Sequence, residues 1–178
     1  MTPRALIDAS SAILLFKAGL IKACCEVFQL LMTRSVFNEV SIPARPGAGE
    51  FHALSGQHPG VTLLDNPAGI LPTNAADLRR LHRGERDTLH HYLNGAARFV
   101  IIDDGKGVQF CRRHGIPHVN ALLCPRLLYF SGRMPAPYAC LLFERIASLG
   151  RYSTAVVKWA DTCDKSDLSF YIRQSGGV

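Results

Sequence analysis

The chain has no apolar run approaching the roughly 18 residues of a helical membrane span, so a protein anchored by such helices is excluded. Closely spaced cysteine pairs are also missing. Cys24 and Cys25 are adjacent, while Cys111, Cys124, Cys140 and Cys163 lie far apart, which is not the spacing of a zinc ribbon. No signal-peptide pattern opens the chain, because residues 1–4 lead straight into a short strand-like run. The expectation is a soluble, cytoplasmic protein with reduced thiols. Internal repeats and low-complexity tracts are absent, which argues against a solenoid or a disordered chain. Negative charge is scarce: 14 Asp+Glu against 20 Lys+Arg give a net charge of +6. A basic balance favours contact with polyanions, of which RNA and DNA are the commonest. The same excess would also serve solubility alone.

What is present fits one ordinary domain. The 178 residues are 48% hydrophobic and 19% charged, enough to bury a core without a second domain. Short apolar runs at Ala5–Ile7, Gln29–Thr33, Val61–Leu64, Phe99–Ile102 and Ile116–Val119 read as strands. Helical segments alternate with them: Ala12–Leu20 after a Ser10 or Ser11 cap, Ile21–Val27, and Val36–Val40 after a Ser35 cap. A further helix opens at 74–77 and runs to about residue 82, and Gly84 interrupts it before Glu85–Leu93. Lys106–His114 follows, with Gly115 just past its end. Residues 41–60, with three prolines and four glycines, read as a loop or mobile arm. Residues 122–159 read as mostly helical, and the last fifteen or so as frayed or loosely docked. Strands alternating with helices imply an α/β fold, a three-layer α/β/α sandwich around a central parallel sheet.

In such a sheet, function gathers beyond the carboxyl ends of the strands. Asp8 follows the first strand and Asp103–Asp104 follow the most apolar one. Carboxylates delivered together to a rim repel one another unless a cation sits between them. Glu39, and Glu85 with Asp87, add to the count without basic partners that match them all, and oxygen donors of this kind suit Mg²⁺ or Mn²⁺. Each acid also has an ordinary alternative. Asp8 and Asp103–Asp104 could cap helices, Glu39 could sit on a solvated helix face, and Glu85 and Asp87 could complement a helix dipole. Residues two apart do not share a helix face, so one of Glu85 and Asp87 should face the crevice and the other lean on its rim. The vicinal His90 and His91 cannot chelate one ion from the same face.

Four stretches carry a family resemblance: "LIDASSAILLFKAG" (Leu6 to Gly19), "VFNEV" (Val36 to Val40), "RGERDTLHHYL" (Arg83 to Leu93) and "FVIIDDGKGVQFCRRHGIP" (Phe99 to Pro117). In this order, each with its acid, they resemble the PIN domain, a family of metal-dependent nucleases that includes toxins of bacterial toxin–antitoxin pairs. The resemblance spans roughly residues 4–132, which leaves residues 133–178 as a helical extension packed on the same domain. It implies a cluster of catalytic acids, Asp8, Glu39, Glu85 or Asp87, and Asp104, holding Mg²⁺ or Mn²⁺. Asp103 stands as a neighbouring metal ligand and Ser10 as a small polar supporter of the site. Asp8 and Asp104 would bind the principal ion, helped by Glu85 or Asp87, and Glu39 would act through a coordinated water or a second ion. Departures from the family pattern are Asp87 where Glu is usual, Gly105 and Gly107 after the acid pair, and Val119–Asn120 in place of Gly-Thr or Gly-Ser.

The activity so implied is hydrolysis of RNA phosphodiester bonds, as the toxin of a toxin–antitoxin pair. RNA would then be the substrate, an antitoxin protein a partner, and a homodimer an expected assembly. Lys106, Arg112 and Arg113, with Arg83 or Arg86, would meet substrate phosphates, although Arg112 and Arg113 also fit the outer face of a helix. The competing reading is a catalytically inactive PIN-fold module for nucleic-acid binding or assembly. A small-molecule phosphatase of another doubly wound fold is weaker, because Asp8 is followed by Ala9–Ser10 and not by a second Asp.

Overall fold

The alternation of short apolar strands and helices folds as an α/β/α sandwich. The computed structural model describes residues 2–57, 59–67 and 76–172. In chain order these form β1 (Arg4–Ile7), α1 (Ala9–Ala18), α2 (Ile21–Val27), β2 (Gln29–Thr33), α3 (Arg34–Val40), α4 (Ala48–Ser55) and β3 (Val61–Leu64). A 3₁₀ turn (Ala76–Arg80), α5 (Arg83–Leu93), β4 (Phe99–Ile101), α6 (Gly105–Arg113) and β5 (His118–Val119) follow. A second 3₁₀ turn (Ala121–Leu123), α7 (Cys124–Phe130), α8 (Ala136–Leu149) and α9 (Thr154–Thr162) complete the described chain.

The five strands pair in parallel in the order β3-β2-β1-β4-β5. Their side chains alternate between two apolar layers. Ala5, Ile7, Leu30, Met32, Phe99 and Ile101 point into the larger core, whereas Leu6, Leu31 and Val100 point into the smaller one. Both faces are therefore covered, which is why these strands read as continuous apolar runs. The larger layer is built from α1, α2, α3, α4 and the helices after β5, the smaller from α5, α6, Leu78 of the first 3₁₀ turn and Leu81 just after it.

The extension after residue 132 belongs to this packing: Leu142, Phe143 and Ile146 of α8 join the larger core, and α8 packs on α1 and α7. Leu168 and Ile172 are also buried, and the Tyr171 hydroxyl donates to the His118 carbonyl at 3.1 Å. The tail expected to fray is thus anchored as far as residue 172, and residues 173–178 lie outside the described part.

Local chemistry accounts for the other departures. Asp8, not Ser10 or Ser11, caps α1, accepting from the Ser11 amide at 2.7 Å, so the helix begins earlier than expected. Thr33 caps α3, which frees Ser35 for another partner. Residues 41–60 are not all loop: Phe51 and Leu54, three residues apart, share one buried face and hold α4 on the core despite the flanking glycines and prolines. The segment from Ala76 is a 3₁₀ turn, and the helix start expected at 74–75 falls outside the described residues. Gly84 lies within α5 and does not interrupt it. A Cβ there would sit 3.1 Å from Val36 Cγ2 and 3.6 Å from Glu39 Oε2, so the bare backbone lets α5 close on α3. Gly115, at φ +63°, ends the α6 turn as the sequence indicated.

Phe99 is fully buried, with its ring 5.5 Å from Phe28 and 5.1 Å from Tyr171 in edge-to-face contacts. Phe99→Ala should cost about 3–5 kcal/mol in chemical denaturation, whereas Trp159→Ala on the exposed face of α9 should cost under about 1 kcal/mol.

Candidate functional site

The order in which strands are added reverses between β1 and β4: β2 and β3 lie on one side of β1, β4 and β5 on the other. Two adjacent strands whose connections diverge leave a crevice beyond their carboxyl ends, the usual binding place in an open parallel sheet. The Asp8 amide extends the ladder there, donating to the Ile101 carbonyl at 3.1 Å. The two acidic strand ends are therefore held side by side.

A cavity of about 430 Å³ opens at this point. Asp8, Ser10, Glu39, Glu85 and Asp104 all line it, together with Ser35, His82, Arg83 and the backbone at Gly84. Four separate stretches of chain thus deliver an acid to one hollow. Asp8 is buried at the end of β1, and Ser10 donates its hydroxyl to Asp8 Oδ2 at 2.9 Å. Asp104 caps α6, its Oδ1 accepting from the Lys106 and Gly107 amides at 2.8 and 3.2 Å. Glu85 enters from the first turn of α5. Glu39 sits at the outer wall, paired with Arg45 at 3.2 Å.

The remaining expected site residues are placed elsewhere. Asp87 lines no part of the hollow. It accepts from the Ser35 hydroxyl and lies 3.8 and 3.7 Å from Arg83 and Arg86, so its charge is already compensated. Glu85 is the one of the two that faces the crevice, as residues two apart on a helix require. Asp103 continues the alternation of Phe99 and Ile101 and so points toward the larger layer, away from the hollow. Its Oδ2 accepts from the Ser11 hydroxyl at 2.7 Å and the Ala121 amide at 2.8 Å, and its Oδ1 accepts from Tyr152. Its lone pairs are engaged in tying α1, the turn after β5 and the segment after α8 together. Lys106 and Arg113 line a neighbouring cavity, and Arg112 is exposed on α6 and lines neither. His90 is buried, and His91 reaches the Asp65 carbonyl at 2.8 Å. Cys24 and Cys25 are both buried free thiols.

Several participants escaped the sequence reading. Tyr152 lies 49 residues from Asp103 in the chain, and Ser35 lies 52 from Asp87, and no local pattern encodes either contact. Arg45 sits in the segment read as loop. His82 carried no motif.

Burial and mutual repulsion set the electrostatics. Loss of solvent, and then the charge of Asp103, push Asp8 up to about 6 against the bonds from Ser11 and Ser10. Burial, then Asp104 and Asp8, raise Glu85 to about 7, opposed by a backbone hydrogen bond at His82 and by Lys106. Asp103 is also raised by burial, with Tyr152, Ser11 and Ala121 restraining it. Glu85 Oε2 is buried with no hydrogen-bond partner among the described residues.

The donor chemistry suits a hard divalent cation: carboxylate oxygens, one of them orphaned, in a poorly solvated hollow with raised proton affinities. They surround a hollow and do not converge on a point. Among the described residues, no group of three or more His, Cys, Asp or Glu side chains is placed to hold a metal ion. No described helix is long and apolar enough to cross a membrane. Comparison with family models, curated proteins and solved structures gives no match for this chain.

Because Asp8 and Glu85 are raised on folding, the folded protein keeps protons that the unfolded chain releases above about pH 4. Their contribution is most favourable below that pH, declines as pH climbs toward about 6 and about 7 respectively, and then levels off. Metal-free protein should therefore unfold at lower urea at about pH 8 than at about pH 5, and Glu85→Gln should reduce that difference. Tyr152→Phe leaves the half-buried Asp103 carboxylate short of a donor and should cost about 1–2 kcal/mol at neutral pH by the same denaturation measurement.

Proposed function

We propose that the chain is a divalent-metal-dependent nuclease of the PIN type that hydrolyses RNA. The observation that carries this reading is the meeting of Asp8, Glu39, Glu85 and Asp104 in one hollow at the switch point of a parallel sheet, with no Lys or Arg ion-paired to Asp8, Glu85 or Asp104 among the described residues. An acidic hollow left uncompensated by the protein calls for a cation from solution.

Asp8, Glu85 and Asp104 would hold Mg²⁺ or Mn²⁺. When bound, the ion supplies a lowered water pKa and stabilises charge on phosphate oxygens. The protein's own groups do the rest. Ser11 and Ser10 fix the Asp8 carboxylate in one orientation. Capping by Asp104 fixes the second acid by its own backbone bonds. Glu85, raised by burial and then by Asp104 and Asp8, would release its carboxyl proton to solvent if it held a cation. Arg83, on the wall of the hollow, can meet a substrate phosphate, positioning the strand without reading its bases. Burial keeps bulk water away from these groups and strengthens each interaction. The antitoxin partner and the homodimer follow from the family resemblance, not from the hollow.

One observation favours the inactive module instead: the acids are not grouped closely enough, as placed, to chelate an ion. The two readings part on cleavage. Purified protein with Mn²⁺ or Mg²⁺ should cut single-stranded RNA, and EDTA should stop it. Asp104→Asn keeps a good capping residue on α6 and should retain the fold by circular dichroism while losing at least about a hundredfold in rate. Cleavage by the variant at the wild-type rate would remove Asp104 from the chemistry.

A further inference from the structure

The acidic hollow has a basic counterpart beside it. A second cavity, of about 280 Å³, lies between the first 3₁₀ turn and α6, lined by Arg80, Lys106, Gln109 and Arg113 over a floor of Leu81 and Phe110, with Asp77 at the edge. Arg113 is paired to Asp77. Arg80 and Lys106 form no ion pair among the described residues, so this hollow collects two cations without a paired acid on an apolar base. Lys106 belongs to both sites. Its amide donates to Asp104 Oδ1 at 2.8 Å, its ammonium opposes the rise of Glu85, and its side chain lines the basic cavity.

We propose that this basic cavity seats a backbone phosphate and its sugar, adjacent to the bond held over Asp8 and Asp104, from a single-stranded nucleic acid. Arg80 and Lys106 hold the phosphate oxygens, each by charge-assisted hydrogen bonds. The sugar lies on Leu81 and Phe110, and the Gln109 amide offers both a donor and an acceptor to a hydroxyl or a base edge. A flexible single strand can turn successive phosphates into two neighbouring hollows, following a positive groove as such strands do. The choice of ligand rests on the proposed function. The cavity adds that the strand is gripped on the α6 side of the acids, by residues 26 positions apart in sequence.

The test measures binding by fluorescence anisotropy of a labelled single-stranded RNA in EDTA, which withholds the metal that cutting would need. Arg80→Ala with Lys106→Ala should weaken binding about tenfold or more and reduce the slope of log affinity against log salt by about 0.7, the loss of one neutralised phosphate on a single strand. Arg145→Ala with Lys158→Ala removes the same charge from exposed positions on α8 and α9, in the opposite layer, and should change affinity less than twofold. Inorganic phosphate should compete only weakly. Equal losses in the two pairs would mean that net charge alone binds, displacement by inorganic phosphate at the strand's own concentration would mean an unspecific anion hollow, and no binding by the unaltered protein would remove the subsite. Each result overturns the proposal. Neither metal nor cleavage enters this readout, so binding at the cavity by a protein that never cuts RNA would sink the nuclease and keep the subsite.

Discussion

Carboxylates that a parallel sheet collects at one water-poor edge repel each other, and among the described residues no lysine or arginine is ion-paired to Asp8, Glu85 or Asp104 to relieve them. Asp8 and Asp104 come to the same hollow because β1 and β4 are neighbours whose onward connections run opposite ways. Glu85 joins them because Gly84 lets α5 approach α3 without a side chain between. The consequence is visible in proton affinity: the two most buried acids of the hollow are both raised toward neutrality. Asp87 is neutralised directly between Arg83 and Arg86, and Asp103 is bound by three neutral donors. The contrast is sharpest at Glu85, whose Oε2 is buried with no hydrogen-bond partner among the described residues.

Capping and binding are not alternatives at this edge. Asp8 caps α1 and Asp104 caps α6, so each carboxylate is aimed by the amides of a helix start and partly stabilised by its dipole. The same bonds fix the side chain before any ligand arrives, so little entropy is left to lose there. Helix initiation thereby orients the site, and conservative replacement by Asn separates charge from capping. The Asp103 network extends this logic to the C-terminal segment, where Tyr152 couples the region after α8 to the strand end that carries Asp104.

The architecture was legible because buried parallel strands announce themselves as apolar runs, and because Gly115 and the Asn94–Gly95 pair mark helix ends. The position of the acids at strand ends was legible for the same reason. What could not be read were contacts set by tertiary packing: which of Glu85 and Asp87 faces inward in detail, the turn of Asp103 away from its neighbour Asp104, and the long-range partners Tyr152, Ser35 and Arg45. The α4 helix was hidden because glycines and prolines around it outvote two buried apolar residues in any local window. Arg112 and Arg113 lie in the last turn of α6, away from its capped start, and only Arg113 lines the cavity beside the acids, a difference that depends on which way each side chain turns.

The direct measurement is anomalous diffraction from a crystal of the full chain soaked in Mn²⁺ at about pH 8, where both raised carboxyls are ionised. A peak within about 2.0–2.3 Å of oxygens from Asp8, Glu85 and Asp104 is the result this account predicts. Saturating Mn²⁺ with no peak in the hollow, or a hollow filled by an arginine or lysine side chain reaching those oxygens, would contradict it.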